Sequence, residues 1–297
     1  MDGRTLSRTE LVICGMIVIG IAIIFGAGDY DVHGLQNLWA HGGFAPKGLG
    51  AFMISLVAIT FSFGGIESLG TAAGEVEEPA RNIPRAINQV LLRILIFYVG
   101  AIGVMLIIWP WDQVGTEGSP FVLMLVGLGI GGAATLLNIV VLTAALSVAN
   151  VMTYSNARVL YDLAASGQAP RFLAHTNAHG VPVRALLLNS GFVAVAVLLN
   201  VLLPGKALVI LIPVVVGAEL ITWSIIALSH LRFRAREGAG VFKTPLSPIT
   251  NYLCLAYFAL IYFLMTQDPA SHAGAIALPL WFCGLLIVGS LLNRLRR

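Results

Sequence analysis

Eight apolar runs, each near the length of a bilayer crossing, leave this 297-residue sequence little choice of architecture. They lie at about 11–27, 49–71, 88–109, 120–150, 184–203, 207–231, 249–267 and 274–292. A hydrocarbon core needs roughly 20 apolar residues per helix. Lipid offers backbone groups no hydrogen-bond partner, so only helices or closed barrels cross it, and no barrel-like alternation is present. The expected fold is therefore all-α integral membrane, with about eight transmembrane helices in a single transmembrane domain. The fourth run is over-long and continues as an amphipathic stretch through Tyr161, which predicts a helix that projects from the membrane or tilts strongly. Composition agrees: 58% of residues are hydrophobic and 10% charged, against about 25% charged in soluble domains.

The basic residues sort cleanly. With the N-terminus in the cytoplasm, the loops on that side hold fifteen of the 17 Lys and Arg, and the other side holds only Lys47 and Lys206. That is the bias expected of a multi-pass protein with both termini cytoplasmic. Trp39, Trp109 and Trp111 fall near the outer boundary, where aromatic rings anchor. The first run is long enough to span and carries no small-residue cleavage site after it, so it reads as a helix rather than a signal peptide. The net charge of +3 gives no indication of a nucleic-acid partner. Cys14, Cys254 and Cys283 lie in apolar runs without metal-ligand spacing and read as buried small hydrophobes.

The second run is interrupted. In "TFSFGGIESLGTAAGE" (residues 60–75), Gly64 and Gly65 stand about two-thirds of the way along a spanning helix and Glu67 follows. Glycine alone signals close helix packing. A carboxylate near mid-membrane costs at least about 2.5–3.5 kcal/mol and therefore faces a cavity or a partner. A glycine pair permits unwinding, which exposes backbone carbonyls and half-helix ends suited to a small zwitterion. The combination predicts two half-helices joined by an unwound stretch within 61–68, serving as a binding site.

Other intramembrane polar groups are less decisive. Glu219 in the sixth run faces a cavity or pairs with a basic group that the sequence does not identify. Ser147, Asn150 and Thr153 recur at three-residue spacing and share a helix face, either bonding a neighbouring helix or lining a cavity. Asp29, Asp31, His33 and His41 fall in the external segment 28–48 at spacings that match no metal site, so a solvated loop is expected. No metal or other cofactor is expected. The chain lacks GxxxxGK[ST], HExxH and GxSxG, which disfavours ATP-driven transport and hydrolytic enzymes.

"FSFGGIE", followed by "GEVEEPARNIPRAI", resembles the sixth-helix signature of amino acid permeases of the amino acid–polyamine–organocation superfamily. "NIVVLTAALSVANVMTYSNARVLYDLAASGQAPRFL" is similar to the eighth helix and following loop of its bacterial amino acid transporter branch, and "ITWSIIALSHLRFR" to the end of its tenth. The resemblance extends over nearly the whole chain. It implies proton-coupled uptake of a neutral L-amino acid across the bacterial inner membrane, with no enzymatic activity. It also implies that Phe61, Ser62, Phe63, Gly64 and Gly65 receive the substrate's amino group, an aromatic residue closing over it. Asn150 and Thr153 would line the same cavity, and Glu67 would serve proton coupling or gating.

The chain departs from that family in extent. Relatives have about twelve spans on a five-plus-five inverted repeat, whereas this sequence resembles only their fifth to twelfth helices. The first helix, whose glycine-rich break holds the substrate carboxylate, has no counterpart here. Nor does the lysine of the fifth helix, since Thr9 and Glu10 stand near its place. The expectation is a truncated repeat fold whose partners are the amino acid, protons, the bilayer and a chain supplying the N-terminal helices. The alternative is a non-transporting degenerate fragment or one half of a split transporter.

Overall fold

The computed structural model describes residues 34–71, 78–108, 110–112, 122, 132–238, 244 and 246–294. The expected span 11–27, most of 120–131, and the ligand candidates Asp29, Asp31 and His33 lie outside them, as do Trp109 and the segment 72–77. Among the described residues every regular element is helical. These are α1 (Asn37–Ala40), α2 (Gly48–Phe61), α3 (Ser68–Thr71), α4 (Pro79–Ile94), α5 (Gly100–Ile108), α6 (Ala133–Ala165), α7 (Val183–Leu202), α8 (Ala207–Glu237), α9 (Ile249–Gln267) and α10 (His272–Arg294). A π-helical turn, Leu95–Val99, joins α4 to α5.

Five of these helices, within α6 to α10, are long and apolar enough to cross a membrane, and α2 is a shorter apolar helix. Their outward faces carry Leu187, Phe192, Val201, Leu280 and Trp281, all more than 60% exposed. A soluble domain keeps such side chains inside; on spanning helices the hydrocarbon covers them. The chain is a multi-pass membrane protein. α6 continues without interruption to Ala165, as the amphipathic extension of the fourth run predicts.

The chain forms two compact units, Met1–Gly48 with Pro84–Asn150, and Leu49–Ile83 with Val151–Arg297. In the first, the described part of the outer segment is largely exposed, as expected, and is also tied down. The Asn37 amide donates to the Ile107 carbonyl at 2.8 Å, and the Trp111 indole donates to the His41 carbonyl at 3.0 Å. The His41 ring meets Asp112 at 3.0 Å, and Lys47 sits 5.3 Å from the centre of the Trp111 ring. The segment is thereby fastened to the end of α5.

The second unit is built on α8, α9 and α10. Val57 of α2, Val216 and Leu220 of α8, Ile261, Leu264 and Met265 of α9, and Ala275 of α10 form its buried core. Small residues let these helices approach closely. A Cβ on Gly274 would run into the backbone and ring of Pro213, and one on Gly217 would press on Leu278. Buried Asn251 ties α9 to α8 by donating to the Ala227 carbonyl at 3.1 Å and meeting the His230 ring. A second cluster of Ala157, Ala164, Leu173 and Ala185 holds α6 to the start of α7.

Candidate functional site at the break between α2 and α3

α2 ends where the glycine pair approaches. The Ser62 amide makes the last i to i−4 bond, a long one to Ala58 at 3.3 Å, and shares its proton with Ile59 at 3.0 Å. After it the chain closes three-residue turns, Phe63 to Thr60 at 3.1 Å and Gly64 to Phe61 at 3.0 Å. Gly65 then takes φ +93°, a left-handed conformation that a side chain would strain. Its amide leaves the backbone ladder and donates to Glu67 Oε2 at 3.1 Å. The Ser68 hydroxyl donates to the Gly65 carbonyl at 2.6 Å, and α3 begins there. The expected break within 61–68 is thus present as six residues of turn, 62–67, between two helical pieces.

The lower part of α2 is held rigidly beside this turn. The Thr60 hydroxyl, almost fully buried, donates to the Leu56 carbonyl at 2.7 Å and lies 2.9 Å from the Tyr257 hydroxyl. Phe61, at the helix end, is half-exposed, and the Ser62 hydroxyl bonds back to the Ala58 carbonyl at 3.3 Å. Of the two residues expected from α6, Thr153 is half-buried and stands next to Met152, whose methyl group lies against Gly65. Asn150 is an exposed residue of the same helix.

α8 supplies what sequence analysis leaves unresolved. Glu67 Oε2 accepts a second hydrogen bond, from the Trp223 indole at 3.1 Å. Trp223 in turn rests on Phe258, with ring centres 5.9 Å apart. One helical turn earlier, the Glu219 carboxylate is set against Gly64, where a Cβ would collide with it. Glu219 Oε2 is buried and has no hydrogen-bond partner, basic or otherwise, among the described residues. The break therefore has two carboxyl groups about it, one held by two N–H donors and one with an oxygen unsatisfied. Sequence reading does not single out Trp223. The usable signal is its four-residue spacing from Glu219, which puts both on one face of α8.

Such a site can receive a small cation or ammonium group. It presents turn backbone, a fixed carboxylate and a second carboxyl, flanked by Met152 and Trp223, with no metal-binding cluster among the described residues.

The sequence matches the amino acid permease family over residues 8–297. It is 40% identical over 283 residues to the aromatic amino acid transport protein AroP of Escherichia coli K12, covering 94% of this chain and 61% of AroP. AroP of Salmonella typhimurium LT2 gives the same identity and coverage. The uncharacterized amino acid permease YtnA of Bacillus subtilis 168 is also 40% identical, over 93% of this chain and 61% of its own length. The chain thus spans about three-fifths of the length of these relatives. A glycine-broken membrane helix, a carboxylate folded into the break and a match over nearly every residue have one explanation: the chain belongs to the amino acid permease family.

Proposed function

We propose that this chain carries the ammonium-binding part of an amino acid permease that takes up a neutral L-amino acid with protons across the bacterial inner membrane. The observation that carries the reading is the turn at 62–67, where the Gly65 amide abandons the helical ladder for Glu67. A turn of this kind points carbonyl dipoles where an α-helix would bury them in its own bonds, which suits the amino group of a zwitterion. Phe61, Ser62, Phe63, Gly64 and Gly65 supply that surface, Thr153 adds a hydroxyl from α6, and Glu67 acts in coupling or gating. The name of the AroP relatives makes phenylalanine, tyrosine and tryptophan the first substrates to try.

The substrate's carboxylate also needs a partner, because an unpaired charge at the bilayer midplane costs several kcal/mol. Helices matching the first four of a relative would supply one. The test is uptake of labelled neutral amino acids in a transport-deficient bacterial host expressing these 297 residues with the first four helices of AroP. Saturable uptake is expected from the pair and none from the 297 residues alone. Uptake by neither, with both chains in the membrane, would favour the alternative of a non-transporting fragment. Robust uptake by this chain reconstituted alone would overturn the two-part account.

A further inference from the structure

We infer that Tyr257 and Phe258 of α9 form a two-armed clamp that positions the helix break from both sides. Consecutive residues on a helix point about 100° apart, so neighbours in sequence reach different elements. One arm meets the chain before the break. The Thr60 hydroxyl has a single proton and gives it to the Leu56 carbonyl at 2.7 Å. Across the 2.9 Å between the two hydroxyls, Tyr257 is therefore the donor. Thr60 is almost fully buried and belongs to the last turn of α2.

The other arm acts after the break, through α8. Phe258 carries the Trp223 ring, with centres 5.9 Å apart and planes tilted by 42°. Seated there, the indole N–H donates to Glu67 at 3.1 Å, and the same oxygen takes the Gly65 amide at 3.1 Å. The two arms brace each other, since the Tyr257 and Phe258 rings meet edge to face at 6.1 Å. α9 is a firm post for both. Ile261, Leu264 and Met265 bury its following turns in the core, and Asn251 fastens its start to α8. Both ends of the turn at 62–67 are thus tied to one element. A turn without an i to i−4 ladder has little to set its own shape, so these ties set it. A surface held ready in this way binds more tightly, because less ordering is left to the moment of binding. Tyr257 and Phe258 are positioning residues: they act on the turn through Thr60 and Trp223.

The clamp's bearing on binding rests on the reading of the break as the substrate site, but its mechanical part is tested without transport. Hydrogen–deuterium exchange is followed by mass spectrometry on the 297-residue chain in lipid nanodiscs. Tyr257→Phe, Thr60→Val and Phe258→Leu should each speed exchange of the peptide covering 62–68 roughly tenfold, with exchange of α10 unchanged. Thr60→Ser keeps the hydroxyl and should exchange like the parent. Tyr257→Phe added to Thr60→Val should add nothing, because both remove the same hydrogen bond. With the N-terminal helices of AroP co-expressed, the three loosening variants should raise the half-saturating amino acid concentration, with maximal uptake changed less. Parent-like exchange at 62–68 in Tyr257→Phe and Phe258→Leu, or exchange that rises equally in α10, overturns the clamp. Faster exchange at 62–68 with unchanged half-saturation overturns its part in binding. Faster exchange with no saturable uptake by the parent pair upholds the clamp and overturns the reading of the break as the substrate site.

Discussion

Glu67→Gln should lower uptake by the completed transporter roughly ten- to a hundredfold. The amide keeps the volume of the acid and an oxygen that accepts from the Gly65 amide and the Trp223 indole, so the bend at 62–67 survives. What goes is the charge. Hydrogen bonds to a charged group contribute about 1.5–3 kcal/mol against about 1 for neutral ones, and each 1.4 kcal/mol is about tenfold in an equilibrium constant. Trp223→Phe removes one of the two donors, keeps a ring on Phe258, and should produce a smaller fall of the same kind. When Trp223→Phe is added to Glu67→Ala it should have no further effect on uptake. Uptake by Glu67→Gln equal to that of the parent would show that Glu67 is only structural.

Gly274→Ala should be the most damaging single-methyl change in the helical core, acting on stability rather than on the site. The added carbon would meet the carbonyl carbon, carbonyl oxygen and Cβ of Pro213. Two of those atoms are backbone, so no side-chain rotation relieves the clash, and α8 and α10 must separate. Pro213 stiffens α8 at this point and limits local adjustment. Overpacking of this kind costs about 1–3 kcal/mol or more. A shift of roughly 2–4 °C per kcal/mol is expected for chains of 150–250 residues. Thermal stability followed by size-exclusion chromatography in detergent measures it. Gly284→Ala and Gly289→Ala, on the same helix with open space around them, should leave the midpoint unchanged. If all three behave alike, Gly274 does not set the approach of these helices.

The contrast between what was legible in the sequence and what was not has a physical cause. The break was legible because its parts are contiguous: Gly64, Gly65 and Glu67 fall within four residues and violate the pattern of a spanning helix together. The ends of α7 to α10 were legible to within a few residues, except that α8 runs past the apolar limit to Glu237, where Arg232, Arg234 and Arg236 carry it beyond hydrocarbon. The partners of the break were not legible. Glu67 and Trp223 are 156 residues apart, and no local pattern announces an indole as a hydrogen-bond donor to a distant acid. Glu219 stood out as an intramembrane carboxylate, but the group it faces is a glycine, which carries no charge by which to predict the contact. The ties of the outer segment were not legible for the same reason. Its solvated composition says nothing of Asp112, which lies 71 residues from His41.

The central claim is that the turn at 62–67 receives the amino group of the substrate, and cysteine protection tests it most directly. The substitution Ser62→Cys is made in a chain whose Cys14, Cys254 and Cys283 are replaced by alanine, co-expressed with the N-terminal helices of AroP. Labelling by a small membrane-permeant thiol reagent is then followed with and without ligand. A transported L-amino acid should slow the labelling at concentrations near those that half-saturate uptake, whereas the same molecule lacking its amino group should give no protection. Labelling of the introduced thiol that is indifferent to a transported amino acid would contradict the claim.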